Sequence, residues 1–287
     1  MTKNVSASRP ARIDVLRRLV GAYVAIWSAV RAPHILDTLD FSPERFDAVG
    51  PLWFLNSPLP SFVLVIGVLA TPVSATLMTL GVRLRVSAPV TAIGFLLVTT
   101  YRTSWGNLFH TENLVALHLV VLAVMVFDDR SDRRWAVDAM AVLTVGTYFV
   151  AGVAKLRISG TAWFDGDVLR NQIAFDNARK AVLGDVSSPF AGWLLGQGWL
   201  LAPAAIVSIG VELGAPLALL HRRVAGVWAA LAMGFHLAIL VFMAIFFPYH
   251  VLGIGLAPLL PVERLGTTVS AWTARFRPAL KRSPPTG

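Results

Sequence analysis

In the stretch TYFVAGVAKLRISGTAWFDG, Thr147 to Gly166, an apolar run ends at Lys155 and gives way to a polar segment. A lysine there has two uses. Its stem can lie along apolar surface with the ammonium at the interface, anchoring a span. Held against a second element, a lysine that sheds its proton serves as a general base. Three further ionisable residues fall inside apolar runs: His118, Glu212 in SIGVELGAPLAL, and His236 in AMGFHLAIL. A charged side chain at the centre of a membrane helix costs about 2.5–3.5 kcal/mol on insertion scales, so each needs a partner or a task. Glu212 is expected to pair with an Arg or a His, His236 being one candidate, or to carry a proton. Gly210 and Gly214 flank it at small-xxx-small spacing, which would let another helix approach closely. His118 is expected to be a buried histidine hydrogen-bonded to a neighbouring helix.

A different chemistry is available in FDDRSDRRW. Asp128, Asp129 and Asp132 form an Asp-Asp-x-x-Asp pattern, the ligand set with which class I terpene synthases hold magnesium and diphosphate. Clustered carboxylates suit magnesium bridged to phosphate oxygens. Arg130, Arg133 and Arg134 would bind the same anion. The competing view is that a tight loop between spans carries charges for topology and solubility alone. The histidines do not fall at zinc-ligand spacing, and neither a Gly-rich phosphate loop nor a serine nucleophile elbow is present.

These residues sit in a chain that is 56% hydrophobic and 14% charged, against about 25% charged in an average soluble domain. The apolar residues come in long blocks, the pattern of a polytopic membrane protein. Eight spans are expected, at about 15–32, 61–80, 86–101, 112–127, 136–154, 199–220, 224–247 and 249–261. The last is short enough to be re-entrant. The net charge of +9 collects at the ends of spans, which fits membrane orientation and anionic lipid rather than nucleic acid. With the N-terminus inside, 17 of the 25 Lys and Arg fall in inside segments. Both termini are therefore expected in the cytoplasm: a basic N-terminus over 1–14, one transmembrane domain over 15–261 and a basic tail over 262–287. Two longer outside loops, 33–60 and 155–198, are placed to lid a cavity, and the second contains a short amphipathic helix. Cysteine is absent, so disulfides and thiolate metal sites are excluded.

Taken in order, YFVAGVAKL followed by WFDG, RTSWGNLFHTENL, FDDRSDRRWAVDAM and GFHLAILVFMAIFFPYHVLGIGLAPLLP resemble the membrane domain of vitamin K-dependent γ-carboxylase and its bacterial relatives, the horizontally transferred transmembrane (HTTM) domain proteins. The matches run from Thr103 to Pro261. The resemblance implies an all-α bundle with a base site in which Lys155 deprotonates a reduced quinone and Asn107 and His110 lie nearby. Trp105 and Trp163, in the same motifs, are candidate substrate contacts, with Arg130 and Arg133 on the other side. The carboxylase carries a large luminal domain for its protein substrate; this chain stops soon after the last span, which makes protein carboxylation doubtful.

What remains is a membrane site for a lipophilic, isoprenoid-like molecule, with no nucleic acid as partner. The first expectation is a terpene cyclase converting a prenyl diphosphate with Mg2+ at Asp128, Asp129 and Asp132, aided by aromatic faces that stabilise carbocations. Glu212 and His236 would then shape or protonate the cavity. Two alternatives stand beside it: a quinol-dependent oxygenase or carboxylase-like enzyme with Lys155 as base, and a non-enzymatic lipid-binding or transport-like protein. Membrane lipids are the expected surroundings in every case.

Overall fold

The computed structural model describes residues 12–106, 110–129 and 133–264. Among them there are helices and turns and no strand. The helices are α1 Arg12–Leu36, α2 Ser61–Leu80, α3 Leu84–Thr103, α4 Asn113–Met125, α5 Arg134–Ser159, α6 Asp167–Val182, α7 Ala191–Gly196, α8 Gly198–Leu213, α9 Arg222–Met243 and α10 Pro248–Val251. Short 3-10 turns fill several of the connections.

Five of these helices, α1, α2, α3, α5 and α9, are long and apolar enough to cross a membrane. Two more, α4 and α8, are apolar but shorter. A bilayer offers the backbone no hydrogen bonds, so apolar runs of this length close their own as helices. Ile66, Leu69, Val73, Ile93, Val150 and Val227 are exposed on the helix faces, an apolar surface that suits lipid rather than water. The chain is a membrane-embedded helical protein.

The expected eighth span at 249–261 is not a helix of spanning length. Helix α10 has four residues and is followed by turns and a 3-10 turn at Ala257–Leu259. Pro248, Gly253, Gly255, Pro258 and Pro261 break this apolar segment too often for a continuous helix. The sixth expected span is also shorter than drawn, since α8 ends at Leu213 and a 3-10 turn covers Ala215–Leu219.

Two large groups of packed side chains organise the bundle. One is built from α1 to α4 and the start of α5, the other from the middle of α5, α9 and the turn after α8. His118 joins α4 to α5 and to the α10 segment. Its Nε2 lies 3.1 Å from the Met140 carbonyl and 3.1 Å from the Thr144 hydroxyl, and its Nδ1 lies 2.8 Å from the Tyr249 hydroxyl. A carbonyl only accepts, so Nε2 carries the proton and Nδ1 accepts from Tyr249. His118 is thus the buried, bonded histidine expected from its position.

On the inner side of helix α6, Ile173 packs into a small apolar core while Lys180 and Asn177 reach the end of α9. Lys180 donates to the Met243 carbonyl at 2.5 Å and to the Ala244 carbonyl at 3.3 Å, while Asn177 donates to the Phe242 carbonyl at 3.1 Å. Those carbonyls belong to the C-terminal end of α9, where no further helical N–H can reach them. The cation also complements the negative end of the helix dipole. Phe175 and Val182 remain exposed on α6. The capped end of α9 fixes where the chain turns back toward α10.

Candidate functional site

Helix α5 does not stop at Lys155 but continues to Ser159, so the lysine projects from the last turns of the helix. Its Nζ donates to Glu212 Oε1 on α8 at 2.7 Å. Glu212 is therefore paired with Lys155 and not with His236. The Lys155 side chain is 24% exposed and that of Glu212 5%. Glu212 Oε2 is buried with no hydrogen-bond partner among the described residues. The ammonium lies 4.8 Å from the ring centre of Trp163 and 5.3 Å from that of Phe235, so two aromatic faces flank it beside the carboxylate.

The close approach that makes this pair depends on Gly152, three residues before the lysine. A Cβ there would lie 2.9 Å from Leu213 Cδ2 and 3.0 Å from Glu212 Cβ. Gly210 and Gly214, expected to play that part, do not: a Cβ on Gly210 would meet open space, and one on Gly214 would meet only the Gly210 carbonyl of its own helix. The small-residue pattern was on α8, but the small residue at the α5–α8 contact is on α5.

The WFDG motif completes the floor. Trp163 is 1% exposed, and its indole N–H is 3.1 Å from the Ala205 carbonyl and 3.3 Å from the Ser208 hydroxyl, both on α8. Gly166 has φ +87°, and a Cβ on it would lie 2.5 Å from the Ala202 nitrogen. Only glycine satisfies both the left-handed backbone and the contact with α8. The motif therefore clamps the segment after α5 onto α8 and holds an aromatic face under Lys155.

On the other side stands a set of rings. His236 Nε2 lies 2.8 Å from the Tyr148 hydroxyl, and Tyr148 is seven residues before Lys155, on the same face of α5. His236 and His250 stack with centroids 4.3 Å apart. Phe247 lies 4.8 Å from His236 and 5.6 Å from His110, which is exposed at the edge of the group. Nδ1 of both His236 and His250 is buried without a hydrogen-bond partner among the described residues. Lys155, Glu212, His236, Trp163 and, through Phe247, His110 thus belong to one neighbourhood. Tyr148 and His250 join it without having been singled out by sequence. The helical spacing of Tyr148 from Lys155 was a usable signal; nothing in the sequence marked His250.

Other expected site residues lie elsewhere. Trp105 packs against Phe41, Phe46 and Tyr101, with centroids 5.3–5.8 Å away, in the aromatic group under the first long loop. Asp128 accepts from the Trp135 indole at 2.5 Å, and Asp129 pairs with Arg85 at 2.6 Å. Arg133 donates to the Asp128 carbonyl at 3.2 Å. Among the described residues no three His, Cys, Asp or Glu side chains gather as metal ligands. Asp128 and Asp129 thus each have one oxygen bonded to a different donor. Asn107, Arg130 and Asp132 lie outside the described residues.

A family model for the HTTM domain matches residues 6–258. The chain belongs to the HTTM-domain family. The match spans the whole Lys155 neighbourhood of this HTTM-domain protein, from α4 through α10. No curated protein and no solved structure matches the chain significantly.

Proposed function

We propose that this HTTM-domain protein is a membrane enzyme that removes a proton from an acidic hydroxyl of a lipophilic isoprenoid, with Lys155 as the base. The observation that carries this reading is the 2.7 Å contact between Lys155 and Glu212 inside a wall of aromatic side chains. A proton moved along that contact turns ammonium and carboxylate into amine and carboxylic acid. The free amine can then take a proton from a bound hydroxyl. Trp163 and Phe235 suit a flat, apolar ring. His236 and Tyr148, 2.8 Å apart, are placed to receive or return protons at the same site.

A reduced quinone has the chemistry this site asks for: an acidic ring hydroxyl, a flat ring and an isoprenoid tail. Its anion, once the proton has passed to Lys155, is readily oxidised by dioxygen. In this reading the chain crosses the membrane several times, both termini are cytoplasmic, and the Lys155 site faces outward, as the distribution of Lys and Arg favours.

The cyclase reading remains a second proposal. It is favoured by an arginine-lined cavity beside Asp128 and Asp129, each of which has one oxygen bonded to another donor. One panel separates the two. Purified full-length protein in detergent is given either a chemically reduced isoprenoid naphthoquinone or prenyl diphosphates with magnesium. Oxygen uptake above the protein-free rate supports the base reading. Hydrocarbon or terpene alcohol with no oxygen uptake supports the cyclase and overturns it.

A further inference from the structure

Far along α5 from Lys155, four helix ends meet around a cavity of about 510 Å³. Its lining includes Arg83, Arg85 and Arg133 together with Leu84, Val86 and Val126. We infer that this cavity binds the phosphate of an anionic amphiphile, with the guanidinium groups around the phosphate and the tail lying against the apolar surface beside it.

Several independent features converge on an anion. Arg83 is the residue preceding α3 and Arg133 the one preceding α5, and neither supplies a side-chain acceptor to its helix. Ser, Thr, Asp or Asn usually stands there because the first amides of a helix need an acceptor. The N–H groups of Leu84 and Arg85 find none among the described residues. Two helix N-termini thus meet three arginines, and the positive ends of both helix dipoles add to their charge. Arg83 makes no ion pair among the described residues, and Arg133 Nε is buried without a hydrogen-bond partner. Arg83 also holds the left-handed conformation, φ 46°, which is uncommon for a residue with a side chain.

The apolar half of the ligand follows from the surroundings. Leu84, Val86 and Val126 form walls of the cavity, and their chain neighbours Val82, Val124 and Phe127 are exposed. A soluble anion has no use for that surface; a phosphate with a hydrocarbon tail does. The only carboxylate contact at the three arginines among the described residues is that of Asp129 on Arg85, an exposed pair at 2.6 Å. In this account Asp129 stands where a phosphate oxygen binds and must leave when the ligand enters. That makes it a competitor, whereas in a magnesium site it would be a ligand.

Native mass spectrometry of the full chain in detergent tests this. The probes are dioleoyl phosphatidic acid, dioleoyl glycerol as its phosphate-free counterpart, and inorganic pyrophosphate. Phosphatidic acid should bind and dioleoyl glycerol should not. Arg83→Gln and Arg133→Gln should each weaken phosphatidic acid about tenfold, as loss of a charge-assisted contact does. Asp129→Asn, on an exposed loop where folding is not at stake, should tighten it. Pyrophosphate that fails to displace phosphatidic acid at equal concentration places the phosphate on a lipid. Pyrophosphate that displaces it assigns the same phosphate site to a soluble ligand. Unchanged binding in both arginine variants, or weaker binding in Asp129→Asn, overturns the inference.

Discussion

Lys155 and Glu212 are 57 positions apart in sequence and 2.7 Å apart in space, and they join α5 to α8 through the most buried carboxylate of the site. Such a pair is held by its surroundings as much as by its charges. Removing one partner strands the other in an apolar setting, which costs about 3–5 kcal/mol, whereas replacing both with apolar residues is far milder. Lys155→Met and Glu212→Leu should each lower thermal stability in detergent, and the double variant should recover most of the loss. Additive losses would show that the two side chains do not depend on each other.

Gly152 supplies a second test of the same geometry. Gly152→Ala puts a methyl group about 3 Å from Glu212 and Leu213, and overpacking of this kind costs about 1–3 kcal/mol. Gly210→Ala meets open space and should be neutral or slightly stabilising. Unfolding midpoints of the two variants check this directly. The reverse order would restore the small-residue pair on α8 as the point of contact.

The latch on α9 is testable by hydrogen exchange. Lys180→Met removes the cation from the carbonyls of Met243 and Ala244, contacts worth about 1.5–3 kcal/mol for a charged donor. Amides at the end of α9 and through Phe247 should then exchange faster, while those of α2 and α3 keep their protection. Because Phe247 and His250 pack on His236, the site should loosen with the latch.

Orientation is checked with single cysteines in this cysteine-free chain. Ser187→Cys should react with an impermeant thiol reagent on intact cells, and Ser131→Cys should react only after lysis. The opposite pattern would invert the chain in the membrane and exchange the faces of both candidate sites.

Much of this was legible in the sequence because a membrane penalises polar groups severely. Lys155, Glu212, His118 and His236 stood out as costs without visible compensation, and each proved to have a partner. Which partner was not legible. Pairing across helices depends on their relative rotation, and a small-xxx-small pattern does not say which face is used. The error over Gly210 and Gly214 has that origin. The eighth span failed for another reason: counting apolar residues over 249–261 ignores prolines and glycines that stop a helix. His250 escaped notice because it lies among those breaks, and its place comes from packing on His236, Phe247 and Tyr148.

The amine of Lys155 carries the proposed chemistry, and one substitution isolates it. Lys155→Arg keeps a cation able to pair with Glu212, but arginine cannot become a neutral base at any working pH. Oxygen uptake with a reduced isoprenoid naphthoquinone should fall about 10²–10⁴-fold in Lys155→Arg, as loss of a general base does, and equally far in Lys155→Ala. Wild-type uptake in Lys155→Arg would contradict the account and leave Lys155 as a cation that joins two helices.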